Sequence, residues 1–311
     1  MIGARTRVAL ALCIPLLGLA ETIAAFVIAS RAPQTGAYAA ARPAIDAQRR
    51  PGDVLVVTPR WAEPHARAAL GDAYFPLADR ARADDSRVVR ALELSLGGRR
   101  DPSFLGYTET SRTALPGGLS LFVLVNPTPA KVVTDLLSQI NAGTVAVAQR
   151  RGQSDYPCTY TEKAIPTAAG LFGQPALGAK QWICGDDPAL NVGPSVVDDE
   201  AFRPRRCLLA PIAADAQTVL RFDDVTFGNV LRGHGGVSWT RQRQRVGAPV
   251  HAQIRVDGNL IKELVFLEGE GFALFSLPLG SHAHARGTVE FVLRSEDGTP
   301  RPFCLEADSR E

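Results

Sequence analysis

Residues 250–258 read Val-His-Ala-Gln-Ile-Arg-Val-Asp-Gly, so that apolar and polar side chains alternate up to a two-residue turn. A period of two places the apolar side chains on one face of a strand and the polar ones on the other. Val289, Phe291 and Leu293 alternate with their neighbours in the same way. Because Asp-Gly is typical of a hairpin turn, the pattern predicts antiparallel sheet with one buried and one solvated face.

The same kind of pattern extends over residues 205–311. Further candidate strands are Thr218–Phe222, Leu260–Phe266, Phe272–Leu277 and Pro302–Glu306. About eight short strands in this segment predict an all-β domain, an antiparallel β-sandwich of jelly-roll or galactose-binding type.

Residues 51–150 follow a different pattern, in which short apolar runs alternate with segments of helical spacing. In chain order, the pattern predicts a strand at 53–59, helices at Glu63–Leu70 and Ser86–Leu96, a strand at Leu119–Val125, a helix from Thr128 through Val132 to Ile140, and a strand at Thr144–Ala148. Strands that alternate with helices predict an α/β domain with parallel pairing.

Residues 151–204 lose this periodicity and gain Gly and Pro, which indicates an irregular connector. Four cysteines follow the N-terminal segment: Cys158, Cys184, Cys207 and Cys304. An even number predicts two disulfides in an oxidising compartment, with three possible pairings. We favour Cys158–Cys184, which staples the connector, and Cys207–Cys304, which ties the first strand of the C-terminal domain to its last. No pair has C-x-x-C spacing, so neither a zinc site nor a redox site is predicted.

The N-terminal sequence predicts the cellular location of the protein. Arg5 and Arg7 precede an apolar run from 8 to 29, and about 22 helical residues are long enough to cross a bilayer. The positive-inside rule then places the C-terminal body outside the cytoplasm. We therefore expect a signal anchor over 1–30, a single-pass inner-membrane topology with the body in the periplasm, and a tether over 31–50. Cleavage after Ala37-Tyr38-Ala39 is the alternative, and Glu21 inside the span could pair with a partner helix.

Composition and motifs exclude several classes of function but do not identify one. The formal net charge is +2 and apolar types make up 46% of the chain, which gives no reason to expect a nucleic-acid partner. The sequence contains no nucleophile elbow, phosphate-binding loop, zinc-protease motif or dinucleotide motif. No catalytic residue, cofactor or metal is predicted.

Two segments are candidate ligand surfaces. If residues 239–245 are extended, Trp239, Arg241, Arg243 and Arg245 share one face, and this face predicts an edge strand or loop in water. An aromatic ring beside guanidinium groups suits a sugar with an anionic substituent, and a merely solvated edge is the alternative. His234 lies among glycines at 232–236, where we weigh a ligand-binding loop against a flexible one.

The remaining polar groups favour ordinary surface roles. His282 and His284 are spaced for one face of a strand, but flanking glycines favour an exposed turn. The acidic pairs and triplet have no calcium-loop spacing, so solvated turns are expected at 186–187, 198–200 and 223–224.

Residues 48–59, Gln-Arg-Arg-Pro-Gly-Asp-Val-Leu-Val-Val-Thr-Pro, continue to Ala73-Tyr74-Phe75. This segment resembles the extracytoplasmic C-terminal domain of polytopic GT-C-type glycosyltransferases of the dolichyl- or polyprenyl-phosphate-sugar mannosyltransferase-like group. The resemblance implies a place in envelope glycan metabolism. That family's catalytic acids lie in the first extracytoplasmic loop, where this chain has only Asp46 before Gly52, so no catalytic residue is carried over.

The leading hypothesis is a membrane-anchored, non-catalytic binding or scaffold protein in envelope glycan assembly, with an envelope glycan, a lipid-linked sugar or a membrane protein as partner. One alternative is a carboxylate-dependent glycan hydrolase or transferase. The other is a structural subunit of a membrane complex, held through its transmembrane helix.

Overall fold

The computed structural model describes residues 15–24, 27, 35–82, 84–141, 143–163, 176–200, 202–244, 247–296 and 301–311. The chain divides into two compact units. Unit 1 comprises Met1–Pro76 and Val88–Pro127, and unit 2 comprises Leu77–Arg87 and Thr128–Glu311.

Unit 1 contains a mixed four-stranded sheet in the order β1-β2-β4-β3. Its strands are β1 (Val54–Thr58), β2 (Arg90–Leu96), β3 (Thr108–Ala114) and β4 (Leu119–Val125). Only β1 and β2 are parallel, and the other two pairs are antiparallel. The helices α1 (Thr35–Gln48) and α2 (Glu63–Leu70) contribute side chains to the same apolar cluster as one face of this sheet. Unit 1 thus combines a sheet with helices, but the predicted parallel pairing is limited to one of its three strand pairs.

Three predicted elements of this region are wrong. Part of the predicted tether is helix α1, whose Tyr38, Ala41 and Ile45 are buried, because their spacing forms one apolar face. Ser86–Leu96 is not a helix, since Arg90–Leu96 is strand β2. All side chains from Ala91 to Ser95 are buried, and a strand covered on both faces carries no period of two.

The predicted helix after Thr128 is also wrong. Val132–Asp135 forms strand β5, and Leu136–Gln139 forms a single 3₁₀ turn. The Asp135 carboxylate accepts a hydrogen bond from the Leu137 amide at 3.0 Å, which ends the strand and begins the turn. The Thr134 hydroxyl donates to the Thr226 carbonyl, so this polar side chain is satisfied where it is buried.

Unit 2 is a β-sandwich of two antiparallel six-stranded sheets. Sheet I has the order β10-β11-β18-β13-β16, with β5 also paired to β18, and sheet II has the order β15-β14-β17-β12-β6-β7. The strands of sheet I after β5 are β10 (Gly193–Asp198), β11 (Pro204–Ile212), β13 (Val230–Val237), β16 (Ala273–Pro278) and β18 (Arg301–Arg310). Those of sheet II are β6 (Val145–Arg151), β7 (Ser154–Pro157), β12 (Gln217–Thr226), β14 (Val250–Val256), β15 (Asn259–Phe266) and β17 (Arg286–Ser295).

The core of unit 2 lies between these sheets. Phe303, Leu305 and Ala307 of β18 belong to the same buried cluster as Phe291 and Leu293 of β17. Asp257 and Gly258 join β14 to β15 with φ angles of 49° and 80°, as a hairpin turn requires. The predicted β-sandwich is confirmed, and its assignment to a jelly-roll or galactose-binding type stays a prediction.

The sandwich also draws on segments predicted to lie elsewhere. Strand β6 pairs with β12, so the run predicted at Thr144–Ala148 belongs to sheet II rather than to the α/β domain. The units therefore do not follow the boundaries predicted at 150 and 204. Within the predicted connector, β8 (Thr159–Thr161) and β9 (Gln181–Ile183) form a short ribbon, and residues 164–175 lie outside the described residues.

Both favoured disulfides are confirmed. Cys158 pairs with Cys184 and Cys207 pairs with Cys304, with Cα–Cα distances of 4.5 and 5.4 Å. The second bond joins two paired strands, since Cys207 lies in β11 and Cys304 in β18. In this pair of strands, Leu209 is the residue opposite Cys304.

The predicted anchor lies mostly outside the described residues. Residues 15–24 are helical and include Glu21. Within the part of the chain that the structure describes, no helix combines the length and apolar character needed to cross a bilayer.

Candidate functional site

The segment that carries Trp239 is a helix and not an extended edge. After the short helix α3 (Leu77–Arg80), Trp239–Gln244 forms α4, which corrects the predicted edge strand. Arg245 lies outside the described residues. The helix is anchored through Gln242, which is 1% exposed. Its side-chain amide donates to the Val237 and Gly271 carbonyls at 3.4 and 3.2 Å, and its oxygen accepts from the Gly269 amide. Buried hydrogen bonds at this position favour the helical turn over a strand.

The helix brings together two of the four predicted residues. The guanidinium carbon of Arg243 lies 5.4 Å from the centroid of the Trp239 ring, as residues four apart on a helix allow. Arg241 lies on the same helix and is half-buried. Arg241 and Arg243 are two residues apart on this helix, so these two arginines do not share one face.

A second aromatic residue completes this surface. The Phe202 ring centroid lies 5.0 Å from that of Trp239, and Phe202 is 65% exposed. We call Phe202, Trp239 and Arg243 the aromatic platform. Phe202 is exposed and Trp239 is half-buried, and contiguous apolar surface marks an interaction site more often than isolated exposed residues do.

Phe202 is held by the tight turn between β10 and β11. Its amide donates to the Asp199 carbonyl at 2.9 Å, and its φ is 54°. The buried Asp199 carboxylate accepts from the Arg203 amide at 2.9 Å and from the Arg205 guanidinium at 3.0 Å. Phe202 is not among the predicted site residues, although a lone Phe in the polar run Asp-Asp-Glu-Ala-Phe-Arg-Pro-Arg-Arg at 198–206 is a detectable signal.

His234 lies in a strand, which corrects both loop interpretations. It occupies the middle of β13, where its Nδ1 lies 2.7 Å from Oε1 of Glu306 on β18. Gly233 and Gly235 of β13 allow their strand to lie close to the side chains and backbone that surround it. A Cβ on Gly233 would overlap the Glu306 carbonyl oxygen, and one on Gly235 would lie 2.6 Å from the Phe303 ring.

Glu306 belongs to a buried ionic network on the outward face of sheet I. Burial raises the pKa of the Glu306 carboxyl. The hydrogen bond and charge of His234 lower this pKa, and the charges of Asp308 and Asp84 raise it further. Arg310 pairs with both Asp308 and Asp84, and Arg232 lies 3.3 Å from Asp84. Every charge of this network has an oppositely charged neighbour, as a structural network requires.

Sheet II carries a polar groove of about 270 Å³ at one end. Its lining includes the basic Arg150, His251 and Arg294 and the acidic Asp215 and Glu296. The two guanidinium groups already pair with Asp155 and Glu263. No aromatic side chain lines the groove among the described residues, so it lacks a stacking surface for a sugar ring.

The other polar candidates take structural roles. Nδ1 of His282 lies 3.2 Å from Asp257 in a 3₁₀ turn, and Asp187 accepts from the Ala189 amide at 2.9 Å. Asp223 pairs with Arg221, and Asp224 pairs with Arg286. In the portion of the chain described, no group of three potential metal ligands converges.

No protein-family model matches this chain, and no curated protein matches it. Solved structures show low-scoring similarity. A CBM51 from Clostridium perfringens GH95, in complex with methyl-galactose, is 9% identical, with 38% of this chain and 81% of that chain covered and a TM-score of 0.27. Tandem CBM51 modules of a family 98 glycoside hydrolase from Streptococcus pneumoniae are 14% identical, with 62% and 55% covered and a TM-score of 0.30.

An N-terminal cellulose-binding domain from Cellulomonas fimi β-1,4-glucanase C is 13% identical, with 34% of this chain and 76% of that chain covered and a TM-score of 0.23. At TM-scores of this size, the similarity carries no conclusion about fold or ligand.

Proposed function

We propose that this chain is an exported, non-catalytic glycan-binding protein whose ligand stacks on the aromatic platform. The observation that carries the proposal is the contact between the Phe202 and Trp239 rings, with the Arg243 guanidinium over Trp239. Aromatic faces bind the apolar faces of sugar rings, and a guanidinium group pairs with carboxylate or phosphate substituents. The ligand is therefore a glycan with an anionic substituent.

The elements that carry the aromatic platform are held rigidly, which favours this surface as a binding site. Phe202 is fixed by the Asp199 turn, and α4 is fixed by the buried Gln242 amide. A platform held in place before the ligand arrives loses less conformational entropy on binding.

The proposal includes a place in the cell envelope, with the chain anchored in the inner membrane and the body in the periplasm. Two disulfides are consistent with an oxidising compartment. The arginines and apolar run at the N-terminus support an anchor, and the Pro-Gly-Asp-Val resemblance at 51–54 supports a role in envelope glycan assembly.

A binding experiment with the full chain in detergent tests this function. The protein is titrated against immobilised neutral, uronate-containing and phosphorylated glycans. We expect Trp239→Ala to weaken binding of all retained glycans by about tenfold, and Arg243→Gln to weaken binding of the charged ones alone. Tyr156→Ala is the matched control, since Tyr156 is an aromatic residue of the same unit that is 56% exposed.

Two results would contradict the proposal. One is the absence of any retained glycan, and the other is an equal loss of binding in Tyr156→Ala and Trp239→Ala. The same samples are assayed for newly released reducing ends, because a glycan hydrolase would produce them and a binding protein would not.

A further inference from the structure

Unit 1 gathers arginines where its two parallel strands end. Thr58 is the last residue of β1 and lies opposite Ser95, near the end of β2. Arg60 follows the first strand and Arg100 follows the second. In open α/β sheets, ligands bind outside the carboxyl ends of the parallel strands, where the loops that follow them converge.

A fully buried carboxylate lies beneath these arginines. Glu93 is 0% exposed, and its Oε1 accepts from the Thr58 hydroxyl at 2.6 Å and from the Asp101 amide at 2.5 Å. Its Oε2 accepts from Nε of Arg100 at 2.8 Å. Because Nε is committed to Glu93, the guanidinium is fixed in orientation, and its terminal Nη1 contacts the exposed Glu109 carboxylate.

Arg60 is fixed in the same manner by a second buried carboxylate. Its Nε donates to Asp101 at 3.3 Å and its Nη2 donates to the Ser103 hydroxyl at 3.3 Å. Burial would raise the pKa of Asp101, but the Ser103 amide and the Arg60 guanidinium outweigh burial and lower it. Asp101 is therefore ionised when it holds Arg60, whose side chain is 43% exposed.

Arg112 places a third guanidinium group at the same aromatic ring as Arg100. The guanidinium carbons of Arg100 and Arg112 each lie 5.0 Å from the centroid of the Phe122 ring, so they are at most 10 Å apart. Glu93, Phe122 and Arg112 are cross-strand neighbours in one row of the sheet. Over the residues that the structure covers, no acidic side chain pairs with Arg112.

Among the residues that the structure describes, Glu109 is the one exposed acid that contacts these arginines. It is 41% exposed and accepts from Nη1 of Arg100 at 3.2 Å. An exposed ion pair of this kind contributes little stability, so a stronger anion would displace Glu109 at low cost.

We propose that Arg60, Arg100 and Arg112 bind the phosphoryl group of a phosphate monoester. Three guanidinium groups exceed what the two oxygens of a carboxylate can occupy, whereas a phosphate monoester presents three oxygens to bidentate donors. This site belongs to unit 1 and does not depend on the aromatic platform of unit 2.

Titration calorimetry of the full chain in detergent tests the proposal with three probes: glucose 1-phosphate, inorganic phosphate and glucuronate. We expect both phosphates to bind and glucuronate to bind at least tenfold more weakly. Tighter binding of glucose 1-phosphate than of inorganic phosphate would identify a phosphorylated sugar as the ligand, and the reverse would identify free phosphate.

Variants with opposite expected effects separate binding from folding. Arg112→Gln and Arg60→Gln are expected to weaken phosphate binding at least fivefold, and Glu109→Gln is expected to strengthen it two- to fivefold. Arg286→Gln removes the same charge from an exposed arginine of unit 2 and is expected to leave binding unchanged.

Arg100 itself is left unchanged, since its loss would strand the buried Glu93. The proposal is overturned if neither phosphate binds, if glucuronate binds as tightly as phosphate, or if Arg286→Gln weakens binding as much as Arg112→Gln.

Discussion

The His234 imidazole lies 2.7 Å from the Glu306 carboxylate, and the two residues are cross-strand partners on the outward face of sheet I. Burial raises the pKa of Glu306 above its ordinary value of 4.5. The folded protein therefore keeps a proton on Glu306 at pH values where the unfolded chain has released it. By linkage, this group stabilises the fold at low pH and loses its contribution as pH rises from 4.5 through the raised pKa.

Glu306→Gln removes this dependence. We expect the difference in free energy of unfolding between wild type and Glu306→Gln to shift against wild type as the pH is raised from about 4.5 to about 7. Urea unfolding at several pH values measures it. Glu109→Gln, at an exposed carboxylate, is the control. A difference between wild type and Glu306→Gln that stays constant over this range would contradict the prediction.

The glycines of β13 provide a second prediction. Gly233→Ala is expected to destabilise unit 2 by about 3 kcal/mol or more, because the new Cβ would overlap the Glu306 carbonyl oxygen of the neighbouring strand. Gly106→Ala is the control, since no described atom lies within 4 Å of the position that its Cβ would take. Urea unfolding of both variants checks the difference. A stable Gly233→Ala would mean that the two strands are farther apart.

The sequence predicts the sandwich well because strands with one solvated face carry a period of two. Val250–Val256 is found as predicted, and so is its turn at 257–258. The sequence pattern predicts a helix where strand β2 lies, because both faces of this strand are covered. A strand that is buried on both faces has apolar side chains on both, so its sequence lacks the alternation of apolar and polar residues that marks a half-exposed strand.

The candidate site is only partly predictable from the sequence, because contacts between residues distant in sequence form it. Trp239 and Arg243 could be selected by residue type, but the helix depends on Gln242 and its partners at 269 and 271, which are distant in sequence. Phe202 joins the platform through a turn between strands 37 residues upstream of Trp239. Pairing of this kind follows from tertiary packing and leaves no local period.

The two disulfides are expected to differ in their contribution. They close loops with sequence separations of 26 and 97 residues. From loop entropy alone, replacing both cysteines of a disulfide by alanine costs about 3.5 kcal/mol for Cys158–Cys184 and about 4.7 kcal/mol for Cys207–Cys304. Urea unfolding of the two double variants measures the order. A larger loss for the Cys158–Cys184 pair would show that strain or residual structure outweighs chain entropy.

The last prediction concerns residues 77–87, which cross to unit 2 and are bound there by ion pairs. Asp84 accepts from Arg310 at 2.9 Å and lies 3.3 Å from Arg232. Burial would raise the pKa of Asp84, but Ser86 and Arg310 outweigh burial and lower it below its ordinary value of 3.8. This contribution to stability is therefore present above pH 3.8 and is lost as the pH falls through the lowered pKa.

Asp84→Asn is expected to cost about 3 kcal/mol, because it leaves the buried Arg310 with fewer compensating charges. It should also speed tryptic cleavage after Arg80 and Arg82 under native conditions, since the segment loses its attachment through Asp84 and keeps the pairs of Arg87 with Asp135 and Asp308. Asp215→Asn is the control at a side chain that is 69% exposed. Because Asp84 pairs with Arg232 as well, the double variant Asp84→Asn/Arg232→Gln should lose less stability than the two single losses combined. Additive losses, or cleavage at the wild-type rate, would mean that the segment is held by its backbone contacts instead.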